Sequence, residues 1–392
     1  LIHWRLAVKD VGHLIMRCVN MEDSKCETTD QWIAGQPTNK RNDYLKEVTQ
    51  LDKYNFNDKK NHSRKSFLKA EVQIPPSWDE NMADKFPRGI QGLTNTTINL
   101  VLGPFMKWVS KSLAYEFLNA KDGVWPQFGY TSGSTPARIG SWYTDMQEAG
   151  FNFLEDDFSQ YDSTQGQGCH ESENWFYHQF PGHENAKRCV GFQKETIGFG
   201  NYYKYTCKYT RKSGDQNTSI GNTFVNFLAH AYAIHTYMVR YKVTVKYYMI
   251  GLGDDNVIAT DVPKDNLEAF GKHISDIIVK MGLKPKLKVA NRGTSYCSSE
   301  FVPLTKDGVR THVLIPNVLR MMFKLGFTTS KLQAKDNLMR LKGNMLGNRY
   351  LQYMPVLRAF YQFYTSRSGQ GCAEYTFRCH DMFVKDKYEM SE

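Results

Sequence analysis

Four aspartates carry the first chemical signal in this chain. Asp157 and Asp162 stand five apart in Asp157-Phe-Ser-Gln-Tyr-Asp162, and Asp254 and Asp255 follow in Gly253-Asp-Asp. A strand end and a neighbouring hairpin turn can set Asp157 opposite Asp254 on adjacent strands. Carboxylates so placed suit Mg²⁺, a hard, oxygen-preferring ion that keeps waters and substrate phosphates as its other ligands. Two such ions about 3.5–4 Å apart clamp the attacking and leaving oxygens of a phosphoryl transfer. The plain alternative for Gly-Asp-Asp is a surface turn. A second cluster, Ser213-Gly-Asp-Gln-Asn-Thr218-Ser-Ile-Gly-Asn222, leads into a helix. Its hydroxyl and amide groups either cap that helix or aim at a sugar.

These residues need elements to hold them. Residues 150–154 read as a strand that ends in Glu155-Asp156-Asp157. Phe224, Phe227, Leu228, Ala231, Ile234 and Met238 recur at helical spacing. Residues 243–252 are rich in β-formers, Gly253-Asp254-Asp255 breaks them and residues 256–260 resume, which predicts a hairpin with acids at its turn. Leu267, Phe270, Ile274, Ile277, Ile278 and Met281 share one face of a second helix that ends at Gly282. The order predicts an α+β fold, an antiparallel sheet packed on two helices. After about residue 305 the pattern is mostly helical.

Asp157-x₄-Asp162, then Ser213-Gly-x₃-Thr218-x₃-Asn222, then Gly253-Asp254-Asp255 resemble, in that order and at those separations, motifs A, B and C of viral RNA-dependent RNA polymerases. The second motif is similar to that of tombusvirus-like and nodavirus-like positive-strand RNA viruses. Lys69-Ala-Glu71 followed by Lys85-Phe-Pro-Arg88-Gly-Ile90-Gln91 resembles motif F. That resemblance implies Arg88 against the incoming nucleotide, Lys85 on its phosphates and Lys69 on RNA. The helix over 267–281 with Lys284, Lys286 and Lys288 resembles motif D, whose lysine protonates the leaving pyrophosphate; Lys288 ranks first. Tyr296-Cys297-Ser298 resembles motif E, which grips the primer RNA. Two positions depart from the tombusvirus-like pattern: Gln160 replaces a basic residue and Thr164 a histidine.

The resemblance, which spans about residues 60–305, implies a right-hand polymerase. Fingers would take 1–145 and the insertion 167–212, the palm 146–166 and 213–305, and a helical thumb 306–392. Asp157, Asp254 and Asp255 would hold Mg²⁺, with Mn²⁺ as a substitute. Asp162, Ser213, Thr218 and Asn222 would read the ribose. Partners would be template and nascent RNA, NTPs, and other viral replication proteins or an upstream domain of the same polyprotein. The setting would be host cytoplasm, in membrane-associated complexes tethered by an anchor outside this chain. Two readings compete: a reverse transcriptase, where a bulky gate usually stands at the place of Asp162, and an RNA-binding scaffold with lapsed chemistry.

Composition agrees with a folded, RNA-facing protein. The 392 residues are 41% hydrophobic and 23% charged, which excludes wholesale disorder. Lys and Arg number 50 against 40 Asp and Glu, a formal charge of +10 that suits a polyanion. No run approaches the roughly 20 apolar residues of a membrane-spanning helix. Eight cysteines without a CxxC pair are expected to be reduced thiols. Cys372, Cys379 and His380 are candidate zinc ligands at a spacing that matches no strong template. The chain begins at Leu1 with no signal-peptide pattern, as expected of a piece of a longer polypeptide.

Overall fold

Five strands make the central sheet, in the order β3-β7-β8-β4-β9. They are β3 (Phe128–Tyr130), β4 (Asn152–Asp156), β7 (Tyr247–Leu252), β8 (Asp255–Thr260) and β9 (Lys288–Val289). Only the β3–β7 pair is parallel. The computed structural model describes residues 1–68, 89–93, 96–121, 123–290, 293–306, 309–326, 334–347 and 355–368. Lys69, Lys85, Arg88, Cys372, Cys379 and His380, all singled out by the sequence, lie outside the described residues.

Successive side chains of a strand face opposite sides, and here both sides are covered. Leu154, Met249 and Ile258 join a core with Phe224, Phe227 and Ala231 of the helix Thr218–Tyr241 and with Phe270 and Ile274 of the helix Lys264–Lys280. Phe153, Ile250, Val257 and Ala259 face the other way, onto Trp142, Tyr143 and Met146 of the helix Pro136–Glu148. The Tyr143 ring stacks on Phe153 at 4.4 Å and on Phe301 at 4.2 Å. The sheet is therefore sandwiched, not merely backed by two helices. Continuous apolar runs such as 247–252 belong to strands buried on both faces.

Two domain boundaries drawn from the sequence cut through elements. Residues 128–145, assigned there to the fingers, supply β3 and most of the helix that covers the central sheet. Three residues are too few to show a period, so β3 has no sequence signal. At the other boundary, β10 (Ser295–Tyr296), β11 (Ser299–Lys306) and β12 (Val309–Pro316) form one antiparallel sheet that straddles residue 306. The region after 305 thus begins with a strand. Helices follow at Val318–Gly326, Ala334–Gly347 and Pro355–Ser368.

A third sheet, β2-β1-β5-β6, joins β1 (Ser63–Leu68) and β2 (Gly89–Leu93) to β5 (Glu195–Phe199) and β6 (Lys204–Lys208). The N-terminal residues, which carry no motif, brace the centre. The helix Ile2–Met16 contributes buried Trp4, whose indole N–H donates to the Met281 carbonyl at 2.9 Å. Among the described residues no helix is long and apolar enough to cross a membrane.

Candidate active site

The acids meet where β4 ends and the β7–β8 hairpin turns. Asp156 pairs with Asn256, so the register carried one step further sets Asp157 opposite Asp255, not Asp254. Leu252 pairs with Asp255, which leaves Gly253 and Asp254 as a two-residue loop. Gly253 has φ +68°, a conformation that glycine adopts without strain. Burial first, and then the neighbouring charges of Asp254 and Asp157, together push the Asp255 carboxyl up to about 7. Two like charges beside a poorly hydrated carboxylate make its ionised form expensive.

The helix Thr218–Tyr241 holds this turn with a polar row that the sequence reading did not single out. The Gly253 N–H donates to Thr223 Oγ1 at 2.8 Å. Asn226 Nδ2 donates to the carbonyls of Gly253 and Asp254, each at 3.1 Å. His230 Nε2 lies 3.1 Å from Asp156 Oδ2, and the Lys286 N–H reaches Asp156 Oδ1 at 2.6 Å. Asp156 is thus a buried anchor, while Asp157 is half exposed. The available signal was the spacing: Asn222, Thr223, Asn226 and His230 share a face of an otherwise apolar helix.

Asn222 Nδ2 donates to Asp162 Oδ1 at 2.9 Å, and the Ser213 hydroxyl donates to Asp162 Oδ2. The amide is oriented from behind. Its Oδ1 accepts from Gln165 Nε2 at 2.7 Å and from Arg211 Nε at 2.8 Å, so only the NH₂ remains for Asp162. Arg211 is itself buried in an ion pair with Glu173, with its two terminal nitrogens 3.0 and 2.6 Å from the carboxylate oxygens. Burial alone would raise the Glu173 carboxyl, but the Arg211 charge and the hydrogen bonds from Arg211 and Tyr177 outweigh it and hold it low. A Cβ on Gly221 would stand 2.1 Å from Glu173 Oε1, so this glycine makes room for the pair. Thr218 does not join Asp162: its hydroxyl donates to the carbonyls of Lys212 and Asp215 and closes the loop.

The three candidate lysines separate by register. Lys288 pairs with Glu155 across β9 and β4, and its ammonium lies 3.1 Å from that carboxylate. Two residues along, Lys286 Nζ is 3.1 Å from Asp157 Oδ2, and further on Lys284 Nζ donates to Gln160 Oε1 at 3.1 Å. Lys286, not Lys288, therefore stands at the acids. Tyr296 also departs from expectation. It is buried, and its hydroxyl pairs with Thr131 Oγ1 at 2.7 Å, which leaves no surface for RNA. Cys297 and Ser298 form the turn between β10 and β11 with φ of 51° and 59°. Cys297 hydrogen-bonds Asp255, and Ser298 is exposed.

A family model described as RNA dependent RNA polymerase matches residues 92–341. The chain belongs to this family. It is 26% identical over 197 residues to the RNA-directed RNA polymerase 2a of Alfalfa mosaic virus, covering 46% of this chain and 22% of that protein. Its fold is similar to that of an insertion-loop deletion mutant of the RNA-dependent RNA polymerase of a human picorbirnavirus, with a TM-score of 0.60 and 13% identity over 78% of this chain and 58% of that one. The chain thus spans about a fifth of the curated relative's length. The fold is the right-hand α+β architecture of viral polymerases, and the resemblance read from the motifs holds at the level of the family.

Within the polymerase fold the acids fit a divalent cation by their chemistry. Asp255 is pushed up first by burial and then by the charges of Asp254 and Asp157, and a cation relieves the second of these. Among the described residues no three His, Cys, Asp or Glu side chains form a ready-made metal cage. Mg²⁺ is usually held by one or two carboxylates together with substrate phosphates, so the donor set suits that ion.

Proposed function

We propose that this chain is a template-directed RNA polymerase that transfers nucleotidyl groups from NTPs to an RNA 3′-hydroxyl. The hydroxyl gives up its proton to water as its oxygen bonds to the α-phosphorus, the bond from that phosphorus to the bridging oxygen breaks, and pyrophosphate leaves. Asp157 and Asp254, assisted by Asp255, would hold Mg²⁺, which when bound supplies charge neutralisation at the reacting phosphates. The observation that supports this reading is the meeting of Asp157, Asp254 and Asp255 from two strands, with Asp255 pushed up to about 7. Mg²⁺-dependent incorporation of labelled NTP on a homopolymer RNA template tests it. Incorporation of dNTP alone would favour a reverse transcriptase, and no incorporation with intact RNA binding would favour a scaffold.

On this reading Lys286 would protonate the leaving pyrophosphate; its ammonium 3.1 Å from Asp157 supports the role. Lys286→Ala is expected to lower kcat at least tenfold with little change in KM. Lys288→Ala, which removes only the partner of Glu155, is expected to stay within threefold. The opposite order of effects in single-turnover kinetics would return the role to Lys288.

Asp162, Asn222 and Ser213 form a bonded set suited to a 2′-hydroxyl, which both donates and accepts. A site built around that hydroxyl leaves polar groups unpaired when a dNTP binds, at about 1–3 kcal/mol per group. Asp162→Ala and Asn222→Ala are therefore expected to narrow the ratio of kcat/KM for ATP over dATP by tenfold or more. A ratio unchanged in both would leave these residues purely structural.

A further inference from the structure

Away from the acids, β6 lies at one edge of its sheet among the described residues, and its hairpin with β5 ends in Gly198-Phe-Gly-Asn-Tyr-Tyr-Lys204. Phe199, Tyr202 and Tyr203 are 37%, 97% and 57% exposed. Folding thus leaves three large rings in water at one tip.

The tip is pre-organised. A Cβ on Gly198 would stand 2.0 Å from the Tyr205 ring, and one on Gly200 would stand 2.5 Å from the Tyr203 ring. Both rings therefore lie against bare glycine backbone, stacked with their planes 28° apart and centroids 6.0 Å apart. The Gly200 N–H donates to the Tyr203 carbonyl at 2.9 Å and closes the turn, and the Tyr205 and Ser66 hydroxyls pair at 3.1 Å. On the opposite face, Lys65 pairs with Phe199 and Phe199 pairs with Lys204. Directly paired residues share a face, so two exposed lysines flank the Phe199 ring.

We propose that single-stranded RNA binds across this hairpin tip, with bases stacked on Tyr203 on one face, on Tyr202 at the turn and on Phe199 on the other face, where Lys65 and Lys204 neutralise phosphates. Every base offers a π face, so an aromatic tip takes a strand without reading its sequence. The two lysines argue for RNA over an apolar protein surface, which would bury their charges without partners. None of these residues belongs to the acid site, so the contact extends the polymerase reading and stands independently of its chemistry.

The test is fluorescence anisotropy of the whole chain with a labelled 16-nucleotide oligoadenylate and with a blunt RNA duplex. The double substitution Tyr202→Ala with Tyr203→Ala is expected to weaken single-strand binding at least tenfold, with duplex affinity and thermal midpoint unchanged. Lys65→Ala with Lys204→Ala is expected to reduce the slope of log affinity against log salt by about 0.7 per lysine. Single-strand affinity within twofold of the unaltered chain in the tyrosine variant, or an equal loss for the duplex, overturns the proposal. If the unaltered chain binds the oligonucleotide through this tip and incorporates no nucleotide, the polymerase reading fails and the contact stands.

Discussion

Asp254→Asn is expected to abolish nucleotide incorporation, by at least a thousandfold or about 4 kcal/mol in the barrier, while single-stranded RNA binding stays within threefold. The substitution keeps the size of the side chain and the backbone carbonyl that Asn226 holds, so the turn keeps its shape. What it removes is one negative charge from the cluster of Asp157, Asp254 and Asp255. RNA is held chiefly through Lys and Arg on phosphates, and its affinity responds to salt rather than to this carboxylate. Incorporation within tenfold of the unaltered chain, at equal thermal stability, would sink the metal assignment.

The second large effect is expected at the buried pair behind Asp162, Ser213 and Asn222. Arg211→Ala leaves Glu173 buried and unpaired, which costs about 3–5 kcal/mol of folding stability. Glu173 sits below its ordinary range in the fold, so it stabilises the protein fully above the pKa of the unfolded carboxyl and progressively less as pH falls through its lower folded value. The stability gap between Glu173→Gln and the unaltered chain is accordingly expected to be widest near neutrality and to shrink in acid. Arg211→Lys keeps the charge opposite Glu173 but lacks the Nε–H that orients Asn222. It is expected to fold and to lower the kcat/KM ratio for ATP over dATP about fivefold, on the order of one net hydrogen bond. Urea midpoints and that ratio separate the two effects. A folded Arg211→Lys protein with full discrimination would show that Asn222 is oriented without the guanidinium.

Much of the chemistry was legible because it is local. Gly253-Asp254 between two β-rich runs specifies a tight hairpin, and a strand ending at Asp156 puts Asp157 at its tip. The motifs singled out Asp162, Ser213, Thr218 and Asn222 as one set; the fold bonds Asp162, Ser213 and Asn222 together, while Thr218 closes the loop instead. Family membership followed from the order of such local patterns.

What tertiary structure alone decided was register and burial. Lys284, Lys286 and Lys288 alternate along one extended segment, and the motif resemblance ranked Lys288 first. The pairing of Glu155 with Lys288 brings Lys286 to Asp157, because one strand's slide against another is set by packing between residues more than a hundred positions apart. Tyr296 is as apt to touch RNA as to pack, and only the fold buries it against Thr131. Glu173 and Arg211 read as ordinary charges on separate elements until folding excludes water around both, after which the Coulomb attraction between them fixes where Asn222 points.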